Sequence, residues 1–254
     1  MDAADAGREN ILQTYEGLAL AVPGTNVLRR TGFTLVRGPN DVSFCNYALG
    51  FQLSTEELEP AMDELVNHAK SEPEFTLFSL TGDLPEDTES VWKRRGFRCV
   101  NHLLQLKSSQ SPNAEAIQLT EATTDRQRNA MCEFLIGVFF EFTRSKTQVR
   151  LTTSMQRSPH RFFSMSEDGR IVAGMMLVES PNATGLYSLA VNPSHRSRGL
   201  GRSMIRAARD IADARGVQLV LQCAPHLVPW YESCGFETFG SARTFLYRPR
   251  PSML

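Results

Sequence analysis

Residues 189–203 read Leu189-Ala190-Val191-Asn-Pro-Ser-His-Arg196-Ser197-Arg198-Gly199-Leu200-Gly201-Arg202-Ser203. An apolar strand ends at Val191, a glycine-bearing loop follows, and the loop runs into a helix. A helix start presents unpaired N–H groups and the positive end of the helix dipole. Gly199 and Gly201 remove two β-carbons, so an anion can approach the main chain closely. Arg196, Arg198 and Arg202 add fixed positive charge around that point. The ligand this predicts is a polyanion, most simply a pyrophosphate. Two familiar phosphate loops do not fit. The chain contains no Gly-Lys pair, which a Walker loop requires, and Met204 stands where a dinucleotide fingerprint places its third glycine. Positions 192–199 also make the loop too long for a tight Rossmann turn. Taken alone, the stretch fits a solvated, arginine-rich helix start as well.

Outward from this loop, the C-terminal half alternates strands and helices. A short strand is predicted over 116–120. Thr123 or Thr124 then caps a helix carrying Met131, Phe134, Leu135, Val138 and Phe139 at helical spacing. A second, weaker helix lies around 146–155. Segments 161–165 and 170–179 flank Glu167-Asp168-Gly169 and read as a hairpin. A strand over 186–191 leads to the loop. The helix over 199–214 bears an apolar stripe of Met204, Ile205, Ala208, Ile211 and Ala212, with Arg206/Asp210 and Arg209/Asp213 as i,i+4 pairs on the wetter side. Gly216 ends it. Then follow an apolar strand over 217–223, a short helix over 227–234 and a final hairpin over 236–247. The order describes an α/β fold with a mixed, mostly antiparallel twisted sheet flanked by helices.

The N-terminal half ends in a similar way. Ser54 with Glu57 forms a capping box. A strand over 75–80, a helix over 86–94 and a strand opening at Gly96-Phe97 and running to about Leu106 follow. Trp92, Gly96 and Phe97 each lie 139 residues before Tyr231, Gly235 and Phe236. Both sets sit in the same strand–helix–Gly-Phe–strand context, which reads as a weak internal repeat. The segment KSSQSPNAEA at 107–116 is polar and aperiodic and reads as a linker. The predicted layout is therefore two tandem domains, 1–106 and 117–254.

Composition sets the limits. Apolar residues are 41% and charged residues 22% of 254, with a net charge of −1. These values fit a globular protein without general affinity for nucleic acid or acidic membranes. No apolar run is long enough to span a bilayer, and the polar start MDAADAGREN is no secretory leader. Five widely spaced cysteines are not a disulfide framework, so a cytoplasmic setting is expected. Cys99 and His102 lack the second pair a metal site needs, so no metal is expected.

Arg196-x-x-Gly199-x-Gly201 after Leu-Ala-Val resembles the acyl-CoA loop of the GNAT superfamily of N-acetyltransferases. Leu221-Gln-Cys223-Ala-Pro-His226-Leu227-Val-Pro-Trp230-Tyr231-Glu-Ser-Cys-Gly235-Phe236 resembles that superfamily's second signature, and its Leu-Val-Pro-aromatic-Tyr run is most similar to the arylalkylamine N-acetyltransferase branch. The likeness covers about residues 116–248. It implies acetyl-CoA as cosubstrate, with the backbone of Leu189, Ala190 and Val191 pairing with the pantetheine arm. The N–H groups of Ser197 to Arg202 would hold the pyrophosphate, with Arg196 and Ser203 beside them. It further implies Tyr231 as the acid that protonates the leaving thiolate, which a phenol is able to do. The main-chain amide at Val191 would polarise the thioester carbonyl.

The departures are equally specific. Gly185 and Tyr187 stand where the arylalkylamine branch carries two histidines, and Ala224 stands where many relatives have Asn. The general base stays open among Glu179, Tyr187, Glu141, His226 and water. The N-terminal half resembles a degraded copy: it lacks the Arg/Gln-x-x-Gly-x-Gly loop, and Trp92 replaces the tyrosine. It is expected to bind no acyl-CoA. Cys223 and the run Phe134 to Phe140 read as core. His195 is expected to face solvent. The function implied is direct acetyl transfer from acetyl-CoA to a primary amine in a ternary complex, by a monomer with an internal pseudo-dimer or by a homodimer. The alternatives are a non-catalytic acyl-CoA-binding regulatory module, or acetylation of a thiol precursor or a protein N-terminus.

Overall fold

A computed structural model describes residues 2–39, 42–72, 74–80, 88–109, 119–140 and 145–248. The chain begins with helix α1 (Ala3–Leu20), followed by β1 (Asn26–Arg30), β2 (Phe33–Arg37), β3 (Asn46–Leu49), α2 (Thr55–Ser71), β4 (Thr76–Leu80), α3 (Thr88–Arg94) and β5 (Phe97–Ser108). It continues through β6 (Thr120–Glu121), α4 (Asp125–Phe139), α5 (Ser145–Arg157), β7 (Arg161–Glu167), β8 (Arg170–Glu179), β9 (Ala183–Val191), α6 (Leu200–Ala214), β10 (Gln218–Cys223), α7 (Val228–Glu232) and β11 (Phe236–Tyr247). Among the described residues the strands form one sheet, in the order β1-β2-β3-β4-β11-β5-β10-β9-β8-β7-β6.

The seam of this sheet departs from the expected layout. Residues 236–247 form one long strand instead of a hairpin. Phe239 is the extra residue of a bulge between Thr238 and Gly240, and the chain does not turn back there. β11 lies between β4 and β5, and β5 lies between β11 and β10, so each half inserts its last strand into the other. Their pairing is symmetric under the 139-residue offset: Phe97 faces Tyr247 and Phe236 faces Ser108. A strand inserted this way satisfies both of its edges, which a terminal hairpin leaves half-paired. β5 also runs two residues past the expected boundary, through Lys107 and Ser108. The rest of the predicted linker, from 110, lies outside the described residues, as do positions 116–118 of the predicted opening strand.

The two halves use the same local devices. β3 pairs with β4 in parallel, and β9 pairs with β10 in parallel. Ser54 and Thr124 each head a complete capping box, with Glu57 and Gln127. Trp92, at the position offset from Tyr231, is fully buried between Phe51 and Phe245, with ring centroids 5.1 Å from each. These rings fill the N-terminal core.

Helix α1 has no counterpart in the sequence reading. Apart from Ile11, its buried positions, Ala6, Gly7, Asn10, Thr14 and Ala19, are small or polar, so no apolar stripe announces it. Hydrogen bonds anchor it instead. Asn10 Nδ2 donates to Val178 O (2.8 Å), Gln13 Nε2 to Glu179 O (2.8 Å), and Ser154 Oγ to Leu18 O (2.6 Å). Ala6 packs with Val220, while Ala19 packs with Val36 and Tyr47, so α1 crosses the seam on one face of the sheet. Helix α6 covers the other face of the C-terminal half.

Burial shapes the response to pH. It pushes the Tyr15 phenol up to about 12 and carries Tyr47, Tyr187 and Tyr231 upward as well. The folded chain therefore holds these protons more tightly than the unfolded chain, whose phenols titrate near about 10. The resulting stability is present below that value and is lost as pH rises through the folded values. Urea midpoints are expected to change little up to about pH 9 and to fall steeply above about pH 10. Tyr15→Phe should flatten that fall; an unchanged slope would remove Tyr15 from it.

Candidate active site

Parallel pairing of β9 with β10 runs from Ala183/Gln218 to Leu186/Leu221 and stops there. β9 continues to Val191 and β10 to Cys223, so the two strands splay apart. A bulge follows at once. Met176 pairs with Tyr187 and Gly174 with Ala190, leaving Ser188 and Leu189 opposite one residue, with Ser188 at φ +50°. The extra residue brings Leu186, Leu189 and Val191 to the α6 face. Asn192 N–H donates to Val172 O (2.8 Å). In an antiparallel ladder the neighbouring pair, Ala173/Val191, is then the kind whose N–H groups point outward. The Val191 N–H therefore faces the gap between the strands.

The loop after Val191 is shaped locally. Asn192 Oδ1 accepts from Ser194 N–H (3.1 Å) and Asn192 O from His195 N–H (2.8 Å). Ser197 at φ +63° and Gly199 at φ +80° then swing the chain into α6. The first amide of this region with a chain acceptor is Ser203, which donates to Gly199 O (3.1 Å). Among the described residues, no chain acceptor takes the N–H of Ser197, Arg198, Gly199, Leu200, Gly201 or Arg202. A Cβ on Gly199 would meet nothing within 4 Å, whereas one on Gly201 would stand 3.3 Å from the Trp230 ring. Gly201 thus admits the indole, and Gly199 leaves the helix start open. This is the arrangement a polyphosphate tail requires.

The three arginines divide their roles. Arg198 makes a two-pronged pair with Glu167 (both 2.9 Å), which turns it to the hairpin between β7 and β8. Arg202 donates to Ser233 O (3.0 Å) and Ser233 Oγ (2.8 Å), tying the helix start to the end of α7. Arg196 Nε donates to Val191 O (3.3 Å).

These elements enclose a cleft of ≈ 680 Å³. It brings together Leu189, Ala190, Val191, Arg196, Ser197, Gly199, Leu200, Gly201 and Arg202 with Tyr231; Arg198 and Ser203 do not line it. Five lining residues were not singled out as site residues by the sequence, His195 among them. Val138 and Phe139 come from the end of α4, Leu227 precedes α7 and Trp230 lies within it. Phe139 is 49% exposed, so the run Phe134 to Phe140 is core only in part: Leu135 and Ile136 are buried, and the end of the run forms a cleft wall. The signal was present, because apolar residues continue past the helical stripe. His195 is half-buried on the cleft wall, with Nδ1 2.8 Å from Ser194 Oγ, and does not simply face solvent.

Tyr231 is 9% exposed and stands edge-on to Trp230 (centroids 4.7 Å apart) and Phe236 (5.7 Å). Burial pushes its phenol well above the usual range, and the thiols of Cys223 and Cys234 add to the shift. Among the described residues its hydroxyl has no hydrogen-bond partner. Burial pushes the Cys223 thiol up to about 11, so it is a packing residue and not a nucleophile. Arg209 leaves the wet side of α6, where an i,i+4 pair with Asp213 was expected. It is buried over the Phe236 ring and donates to Cys234 O (2.7 Å), because the chain after α7 needs a donor there.

The candidate bases do not gather at the cleft. Glu179 is paired with Arg161 and lies 3.8 Å from Arg215 Nε. The Tyr187 hydroxyl donates to Asn10 Oδ1 (3.0 Å) on α1, and burial pushes its phenol up. A Cβ on Gly185 would collide with Asn10 Oδ1, so the two positions that carry histidines in the arylalkylamine branch are taken up by α1. His226 is exposed and does not line the cleft, and Glu141 lies outside the described residues. Among the described residues, no group of three or more His, Cys, Asp or Glu gathers as metal ligands would, and no helix is long and apolar enough to cross a membrane.

Comparison with known proteins agrees with this geometry. Residues 128–236 match the sequence profile of the Acetyltransferase (GNAT) family. A sequence comparison with curated proteins found no match. Among solved structures, a GCN5-related N-acetyltransferase from Kribbella flavida superposes with TM-score 0.66 at 14% identity, over 96% of this chain and 97% of that one. A GNAT-family acetyltransferase from Colwellia psychrerythraea gives 0.55 at 13% identity, over 87% and 84%. A tandem GNAT protein from the clavulanic acid biosynthesis pathway gives 0.59 at 12% identity, over 96% of both chains. At such identities the structural likeness speaks to fold, and the profile match names the chemistry. The match over residues 128–236 to the Acetyltransferase (GNAT) family makes this protein an acyltransferase.

Proposed function

We propose that the domain transfers an acetyl group from acetyl-CoA to a primary amine by direct attack in a ternary complex. One observation carries the reading: six consecutive main-chain N–H groups, from Ser197 to Arg202, have no chain acceptor among the described residues, and all of these residues but Arg198 line the cleft with Tyr231. Acetyl-CoA, when bound, supplies the activated thioester. The amides of Ser197 to Arg202 bind its pyrophosphate, and the free edge of Leu189 to Val191 orients the pantetheine arm. The Val191 N–H points into the splay, where it stabilises negative charge developing on the carbonyl oxygen. The nitrogen–carbon bond forms as the carbon–sulfur bond breaks, and Tyr231 passes its phenolic proton to the departing sulfur. No carboxylate is among the residues lining the cleft, so the amine enters neutral and its proton leaves to water.

The N-terminal half is read as a second copy that has lost this site. The parallel pair β3/β4, the symmetric exchange of β5 and β11, and the likeness to a tandem GNAT protein support that reading. Trp92, Phe51 and Phe245 pack its interior, and at the position offset from Tyr231 stands an indole with no phenolic proton to give. Exchange within one chain supplies what a partner subunit would otherwise give, which supports a monomer.

Calorimetry should find one coenzyme A bound per chain. Acetyl-CoA with a broad amine panel should release free thiol. Binding without any turnover would favour the regulatory-module reading. No binding would end both readings.

A further inference from the structure

Behind the splay, on the face opposite α6, lies a polar patch that the chemistry above does not use. Gln222 stands on β10 one residue beyond the last β9 pair, and its cross-strand partner on β5 is Gln105. Alternation along the strands turns both side chains to the α1 face. Val220, two residues before Gln222, packs with Ala6, and Leu103, two before Gln105, packs with Ile11. Gln105 is only 3% exposed. The side-chain amide nitrogens of both glutamines are buried and, among the described residues, have no hydrogen-bond partner. A buried donor left without an acceptor is destabilising. Packing alone would favour leucine at either position.

The two amides border a narrow gap with Tyr187, Gly7, Ile11 and Phe239, and no charged residue lines it. The Tyr187 hydroxyl is already engaged by α1, since it donates to Asn10 Oδ1. On the opposite side of the same strand, the next residue, Cys223, packs in the cluster that holds Tyr231. The glutamines therefore sit across the sheet from the proposed acid, at the opening where β9 and β10 part.

We propose that Gln105 and Gln222 recognise the acceptor, and that it is an amine bearing a neutral carbonyl oxygen near its amino group, as in an amino-acid amide or the N-terminus of a peptide. This deepens the acetyl-transfer reading and rests on it. Two neutral donors satisfy a carbonyl oxygen, but no cation is present to compensate a buried carboxylate. The walls stand too close for a water molecule, so Ile11 or Phe239 moves aside as the carbonyl enters. The site belongs to both halves, because Gln105 comes from the strand that the N-terminal half inserts.

The test is calorimetric binding to the full chain saturated with coenzyme A. The probes are three matched sets: L-phenylalaninamide, L-phenylalanine and phenethylamine; L-lysinamide, L-lysine and cadaverine; glycinamide, glycine and ethylamine. In at least one set the amide should bind at least about tenfold more tightly than the amine and the amino acid, about 1.4 kcal/mol. Gln105→Leu and Gln222→Leu should each bring that ratio close to one. Both variants should keep the wild-type affinity for coenzyme A and a thermal midpoint equal to or above wild type, since each removes an unpaired donor. Equal binding of amides and amines, tighter binding of the amino acids, no binding of any probe, or ratios that survive both substitutions would each overturn the proposal. Failure of wild-type protein to bind coenzyme A would instead defeat the acetyl-transfer reading beneath it.

Discussion

Gly199→Val is expected to weaken coenzyme A binding by more than about 100-fold, about 2.7 kcal/mol, while leaving the fold in place. Gly199 holds φ +80°, and a β-branched residue is a poor occupant of that region. The chain would rotate toward negative φ and turn the amides of 197–202 away from a common point. If it stayed, the two methyls would stand where the phosphate approaches. The neighbouring structure offers no objection, because a Cβ at this position meets nothing within 4 Å. The thermal midpoint should therefore move by only a few degrees. Gly201 would be a poorer choice for this test, since a side chain there presses on Trp230 and through it on Tyr231. Titration of coenzyme A into the variant by calorimetry reads the effect. Wild-type affinity would remove the loop from ligand binding.

Tyr231→Phe is expected to lower kcat by about 10²–10⁴-fold, the range a positioned general acid contributes. Coenzyme A affinity should stay within about twofold, because phenylalanine keeps the edge contacts to Trp230 and Phe236. The elevated phenol makes a second expectation. Burial holds Tyr231 protonated through the neutral range, so wild-type kcat should show no alkaline loss from this group below about pH 10. Single-turnover thiol release across pH measures both. An unchanged kcat in the variant would assign the proton to another donor.

The legible part of this protein is the part built from neighbours in the chain. The strand to Val191, the loop and helix α6 are consecutive, and the spacing of Arg196, Gly199 and Gly201 is a local pattern. The capping boxes at Ser54 and Thr124 are local for the same reason. Helix α1 was not legible, because Asn10, Gln13 and Thr14 hold it through hydrogen bonds whose partners lie in the other half of the chain. The strand over 236–247 has the alternation of a hairpin arm, and alternation names no partner.

From residue order alone came the strand–loop–helix with its glycines and arginines, the phenol at Tyr231 and the echo of one half in the other. Spatial packing alone decided that β5 and β11 change places, that α1 closes the sheet behind the splay, and that Gln105 of one half stands beside Gln222 of the other. Backbone geometry and propensity act over a few residues and leave their mark in short stretches. Strand pairing and burial join residues more than a hundred positions apart, and they are settled only when the whole sheet closes.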